Sequence, residues 1–459
     1  MPISRRDLLR AATVTAGVTA VAAAAPPALA LGKGTGFGPV SAILPARHPY
    51  RVGRWLPQDQ RILDEWLTEL VREVDSTDEP LRPVMQELQD LIESDPALYM
   101  YFHQMFAQVP HEPPYDRTPG GAPQVRDYRH MVRLINHILG TAPVFNLTGF
   151  VGFPINAIID WPMGTPAGVA AFLDPRVNAQ FKKILNEWGA FLTSPESRYV
   201  LSRHPKHGWF GRNARKQMPG FVEDFVCDPS VPFHGFGSWD AFFTREFRPG
   251  RRPVSAPSND NVVVSACESA PYRIQEDVKR VDRFWIKGQP YSLRHIFDDD
   301  PVNEQFVGGT VYQAYLSAES YHRWHAPVGG RIVSVRTIDG SYYAQSPNVG
   351  FDPLSPNESQ GFITETAARA VVLIEADSPS IGLMAFVSVG MAECSSNQVT
   401  VAPGQRVVKG EQIGMFHYGG STHLLIFRPG VDITFDLHGQ TPGLSASNIH
   451  VKDRVAVVR

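Results

Sequence analysis

Cysteine is scarce: Cys227, Cys267 and Cys394 are the only three in the chain. An odd number at wide spacing, with no CxxC pair, makes neither a disulfide framework nor a zinc site. Each is expected to be a small buried apolar residue. An excess of one charge sign is also missing. The 43 basic side chains face 46 acidic ones, a formal net charge of −3. No long basic run occurs beyond the N-terminus, so nucleic acid is not expected as a partner. Beyond residue 30 no segment reaches the ~18 consecutive apolar residues of a spanning helix. What is present, 43% apolar and 19% charged residues, is ordinary for a globular chain with a sizeable core. At ~100–200 residues per domain this length suggests two or three domains.

Residues 1–30 stand apart. Arg5-Arg6 precede an apolar stretch from Ala11 to Ala25, and Ala28-Leu29-Ala30 supplies small residues for cleavage. This is the layout of a twin-arginine export signal, whose route carries folded proteins. An N-terminal membrane anchor is the alternative. The stretch is rich in Ala, Thr and Gly and a small-residue site follows it, which favours cleavage. The expected location is therefore periplasmic, extracellular or the cell envelope.

From about 55 to 195 the apolar period is helical. Ile62, Trp66, Leu70 and Val74 recur every four residues. Val84, Leu88, Leu91 and Ile92 repeat the pattern, as do Met131, Leu134, Ile135 and Ile138 before Gly140. Val177, Phe181, Ile184, Leu185 and Trp188 form another face after Asp174-Pro175. From about 250 onward, short β-branched runs alternate with turns: Val262–Val264, Gly309–Tyr312, Arg331–Val335, Ala370–Ile374 and Met384–Val389. The junction carries Arg203, Lys206, Arg212, Arg215 and Lys216, read as a solvated surface. Asn348 to Gly361 is read as a loop. The fold class expected is α+β: a helical accessory domain over 31–200, then a β-rich domain over 201–459.

Three places carry candidate chemistry. Gly419-Gly420-Ser421-Thr422 lies between two strand-like runs. Such an element is ordinarily a tight turn. However, a serine hydroxyl directly after a glycine can attack the glycine carbonyl and shift the acyl group from nitrogen to oxygen. β-Elimination of the ester then releases a chain ending at Gly420. It leaves dehydroalanine, which water converts to a pyruvoyl group and ammonia. The second place is Tyr321-His322-Arg323-Trp324-His325. Its histidines are buried core residues, a weak metal pair, or a base for Ser421, since serine needs a neighbour to take its proton. The third is Cys267-Glu268-Ser269, where an acid at a strand end could orient a histidine.

The order of these places resembles the phosphatidylserine decarboxylase family. Trp239 to Pro253, Ile286 to Leu293, Tyr321 to Pro327 and the Gly-Ser-Thr site carry the resemblance, over about 225–459. It implies cleavage between Gly420 and Ser421, and a covalent pyruvoyl cofactor made from Ser421. His325 then corresponds to the histidine that activates the serine, and His322 to the histidine of decarboxylation. The family's Asp-Gly pair is replaced by Cys267-Glu268, so Glu268 is the candidate acid in a departed motif. No metal is implied. The two fragments are expected to stay associated. The helical region resembles that of a subgroup including fungal pyruvoyl-type L-tryptophan decarboxylases. The substrate is therefore phosphatidylserine, with peripheral membrane contact, or a free aromatic L-amino acid such as tryptophan. The alternative from another class is an exported zinc metallopeptidase acting on peptidoglycan. It is suggested by Gly404 to Gly410 followed by His423-Leu424-Leu425, which lacks one expected histidine ligand.

Overall fold

A computed structural model describes residues 60–109, 125–145, 153–283, 290–317, 319–346, 359–393, 396–418 and 420–459. The export segment, Cys394, Gly419 and part of the Ile286–Leu293 block lie outside them.

The expected helical half is observed. Seven helices run α1 (Gln60–Asp75), α2 (Pro83–Ser94), α3 (Pro96–Ala107), α4 (Tyr128–Ile138), α5 (Pro154–Met163), α6 (Pro166–Leu173) and α7 (Pro175–Leu192). Short helices α8 (Arg212–Gln217), α9 (Phe221–Asp224) and α10 (Trp239–Phe243) follow. Proline pre-sets the first turn of α2, α3, α5, α6 and α7, where its missing N–H costs nothing. Asp95 caps α3 by accepting from the Ala97 and Leu98 N–H groups at 2.9 and 3.0 Å. Leu70 and Val74 of α1 and Val177, Phe181, Ile184 and Trp188 of α7 are buried, as their spacing predicts. The basic side chains of the junction are exposed.

The second half is built of antiparallel sheets. Its strands are β1 (Val262–Val264), β2 (Ala270–Gln275), β3 (Thr310–Leu316), β4 (Arg323–His325), β5 (Gly330–Ile338), β6 (Arg369–Ala376), β7 (Leu383–Met391), β8 (Ser396–Val399), β9 (Arg406–Val407), β10 (Gln412–His417), β11 (Gly420–Phe427), β12 (Ile433–Phe435) and β13 (Arg454–Val458). A seven-stranded sheet has the order β2-β3-β11-β7-β6-β5-β9, and two three-stranded sheets run β4-β10-β8 and β1-β13-β12. Part of the loop expected over 348–361 is helical: Gln360 and Gly361 open α12 (Gln360–Thr366), after α11 (Leu293–Ile296).

The inner strands β3, β11, β7 and β6 of the seven-stranded sheet are buried on both faces. Val387, Val389, Leu424 and Ile426 pack with Leu293, Ile296 and Ile363 on one side. Tyr312, Ala314, Phe386, Leu425 and Phe427 look the other way, into a cluster that runs on through the helices to Leu70. The β4-β10-β8 sheet packs over that second face, with Trp324 and Phe386 ring centroids 5.5 Å apart. Gly414 makes this close approach feasible, because a Cβ there would sit 2.4 Å from the Trp324 ring.

Candidate active site

β11 lies in the middle of the large sheet. Ser421 pairs with Leu316 of β3 and Gly390 of β7, and His423 with Ala314 and Ser388. Side chains alternate along a strand, so Ser421 and His423 share the face that looks into the common core. Thr422 points the opposite way and is satisfied there. Its Oγ1 donates to the Ala314 carbonyl at 2.9 Å and accepts from Gln313 Nε2 at 2.9 Å. Ser421 is fully buried and its Oγ has no hydrogen-bond partner. A buried hydroxyl is normally bonded, so an orphan one marks a site of strain or chemistry. His423 and Ser388 are buried and unpartnered on the same face.

His325 ends β4. Its Nδ1–H donates to the Gly410 carbonyl at 2.8 Å, and its Nε2 accepts from the Tyr321 hydroxyl at 2.9 Å. This pairing selects the tautomer with a lone pair on Nε2. Gly410 has φ +81°, and a Cβ there would press on Val254 at 2.5 Å, so the turn that aims this carbonyl needs glycine. Burial, helped by the charge of Lys452, pushes the His325 pKa down to about 3. His325 is thus a neutral base across the working pH range.

His322 is fully buried and stacks on Phe243 with centroids 3.9 Å apart and planes 20° from parallel. Neither ring nitrogen has a side-chain partner, and the ring's polar neighbour is the Ser320 backbone. Burial, then the Arg245 guanidinium, hold its pKa well below the usual imidazole range. The segment carrying it is anchored from α10. Arg245 donates to the Glu319 and Ser320 carbonyls at 2.6 and 3.2 Å, and Arg323 Nε donates to the Thr244 carbonyl at 2.7 Å. Phe243 also packs on Tyr418, three residues before Ser421, at 5.6 Å. One phenyl ring therefore lies against both the His322 imidazole and the strand approach to the Gly420–Ser421 bond.

Glu268 sits elsewhere in this network. Arg252 donates to both of its carboxylate oxygens, at 2.8 and 3.3 Å, and the Val451 N–H donates at 2.7 Å. It has no hydrogen bond to His325. Its route to that ring is indirect: the Arg252 guanidinium lies 4.2 Å over Phe247, which packs at 4.4 Å on Tyr321. Tyr321 opens the Tyr321–Pro327 block, but no local pattern in the sequence marks its hydroxyl for a role. Without Glu268, the half-buried Arg252 keeps only its longer ion pair with Asp224 at 3.5 Å, and the Val451 N–H loses its acceptor. Glu268→Ala is accordingly expected to destabilise the fold by about 3 kcal/mol, read as a lower thermal midpoint, with Glu268→Gln losing less because it still accepts from Val451.

In the uncleaved chain neither histidine hydrogen-bonds Ser421, and such contacts commonly tighten only in the reacting complex. The arrangement places a Gly-Ser bond in a regular strand, a neutral base with a fixed tautomer and a second buried imidazole around one apolar core. These groups suit proton transfers at a desolvated centre.

Two family models described as phosphatidylserine decarboxylase match residues 82–218 and 239–445. The L-tryptophan decarboxylase of Psilocybe cubensis is 35% identical over 416 residues, covering 85% of this chain and 91% of that one. A decarboxylase of Amanita muscaria is 42% identical over 302 residues, 62% of this chain and 86% of the other. The phosphatidylserine decarboxylase proenzyme of Chlamydia felis is 30% identical over 242 residues, 52% of this chain and 76% of the other. These matches set the metallopeptidase reading aside.

Proposed function

Because the chain belongs to the phosphatidylserine decarboxylase family and is a carboxy-lyase, we propose that it cleaves itself between Gly420 and Ser421. The pyruvoyl group formed from Ser421 then serves to decarboxylate a free aromatic L-amino acid. The residues fit such a group: Ser421 Oγ is an orphaned buried nucleophile directly after a glycine in an extended strand. The pyruvoyl carbonyl supplies an electron sink for the pair left when carbon dioxide departs. The other tasks fall to side chains. His325 takes the Ser421 proton on Nε2 through the Tyr321 hydroxyl, which donates its own proton to Nε2 as it accepts the one from Ser421, while Gly410 holds Nδ1–H. His322, neutral and stacked on Phe243, has one N–H and one lone pair, enough to move a proton to the carbon centre. The aromatic layer of Phe243, Tyr418, Trp239 and Trp188 excludes water. The twin-arginine segment carries the folded enzyme out of the cytoplasm on this reading.

The observation that carries the substrate choice is enclosure. Ser421 is fully buried beneath a core shared with the helical half, which suits a small substrate better than a two-chain phospholipid. The Psilocybe tryptophan decarboxylase also aligns through that helical half, whereas the Chlamydia phosphatidylserine enzyme matches about half of this chain. Purified processed protein is expected to release carbon dioxide from tryptophan. Release from phosphatidylserine vesicles, with none from tryptophan, tyrosine or phenylalanine, would overturn the substrate.

A further inference from the structure

Met391, the residue paired with Gly420 across β7 and β11, leads into a buried carboxyl group that the proposed chemistry does not use. Glu393 is 5% exposed. Its Oε1 accepts from the Asn156 N–H at 2.9 Å, in the first turn of α5. Burial raises its pKa to about 7, against backbone N–H donors that lower it. This much could be a helix cap. Three further facts exceed one. Glu393 Oε2, Asn156 Nδ2 and the Tyr343 hydroxyl all lack partners, and all three residues are at least nine-tenths buried. A cavity of about 20 Å³, room for one water, is lined by Asn156, Tyr343, Met391 and Ala392, the residue directly before Glu393. The Tyr343 ring is held between Phe172 and Phe181, with centroids at 6.3 and 5.1 Å, and burial, with the nearby charge of Glu393, pushes its hydroxyl pKa well up.

We propose that Glu393, Asn156 and Tyr343 form a polar subsite that takes the hydrogen-bond donor at the tip of the substrate's aromatic side chain. The inference rests on the reading of the substrate as a free aromatic amino acid, and it deepens that reading. An acceptor oxygen faces an indole N–H or a phenol O–H, and the apolar wall of Met391 and Ala392 meets the ring. The helical half thereby takes part in substrate choice, because Asn156 belongs to α5 and Glu393 follows the strand beside Gly420. A site built to satisfy a donor discriminates against an analogue that lacks it, since its own polar group is then left unpaired.

The test is a substrate series on processed wild type, Glu393→Gln and Tyr343→Phe. The glutamine keeps an acceptor for α5 but cannot present two acceptor oxygens. Tyr343→Phe keeps the packed ring and loses only the hydroxyl. In Glu393→Gln, kcat/KM for tryptophan and tyrosine is expected to fall roughly 10- to 100-fold, the size of one hydrogen bond to a charged group. Phenylalanine, which has no side-chain donor, should change by less than about 3-fold. Tyr343→Phe should give a smaller loss in the same direction and with the same selectivity. A gel and a melting curve check that each variant is cleaved and folded. Equal losses on all three amino acids, or no loss on any, would overturn the subsite and leave Glu393 as a cap for α5. Wild type active on phosphatidylserine alone would overturn the parent reading first, and the subsite with it.

Discussion

Ser421→Ala is expected to yield a single uncleaved chain with no measurable decarboxylation, a loss of at least about 10⁶-fold. Both effects have one cause: the Oγ that attacks the Gly420 carbonyl is also the atom whose departure creates the new carbonyl. The substitution should not harm the fold. Ser421 Oγ is buried without a partner, and deleting an unsatisfied buried hydroxyl is neutral or stabilising. The variant should therefore melt at or above the wild-type midpoint. Wild type should run as two bands on a denaturing gel, the smaller covering residues 421–459, yet elute as one species under native conditions. The smaller fragment contributes most of β11, held between β3 and β7, together with β12 and β13, which pair with each other, β13 also pairing with β1. Separating it would break sheet hydrogen bonds in two places. Two fragments from Ser421→Ala would remove Ser421 from the reaction.

The division into helices and strands was legible because burial here follows period. Val177, Phe181, Ile184 and Trp188 are spaced for a helix and are buried on one face, while β7 is an apolar run because its sheet is covered on both faces. The Gly-Ser bond was legible from local chemistry, and the two histidines from their spacing beside a strand. The partners of those residues were not. Tyr321 and Gly410 bracket His325 through geometry that β4 and the β9–β10 turn create, and no local pattern encodes it. Glu268 could be found as an acid at a strand end, but its bond to Arg252 and the Val451 N–H depends on where the C-terminal segment lies. Glu393 is the extreme case. It meets Asn156 across 237 residues of sequence, and in the linear chain it is one more acid after an apolar run.

The two histidines should separate under mutation. His325→Ala is expected to stop self-cleavage, leaving one band and no activity, because Ser421 then has no neutral base. Since its pKa lies near 3, His325 is uncharged above about pH 4, and the proton-accepting form is already fully present there. Cleavage in wild type should consequently show no imidazole-like step between pH 5 and 8. A cleavage rate that rose with a midpoint near the ordinary histidine value would show instead that His325 is charged in the precursor. His322→Ala should leave cleavage intact and lower kcat roughly 10²- to 10⁴-fold, the usual worth of one positioned proton-transfer group. Its ring has no side-chain partner in the uncleaved chain and reaches only the Ser320 backbone, so its removal disturbs that contact and the stacking on Phe243 before substrate arrives. The paired readout is a time course of the 421–459 fragment and a carbon dioxide assay on whatever has been cleaved. Loss of cleavage in His322→Ala, with retention in His325→Ala, would exchange the two roles.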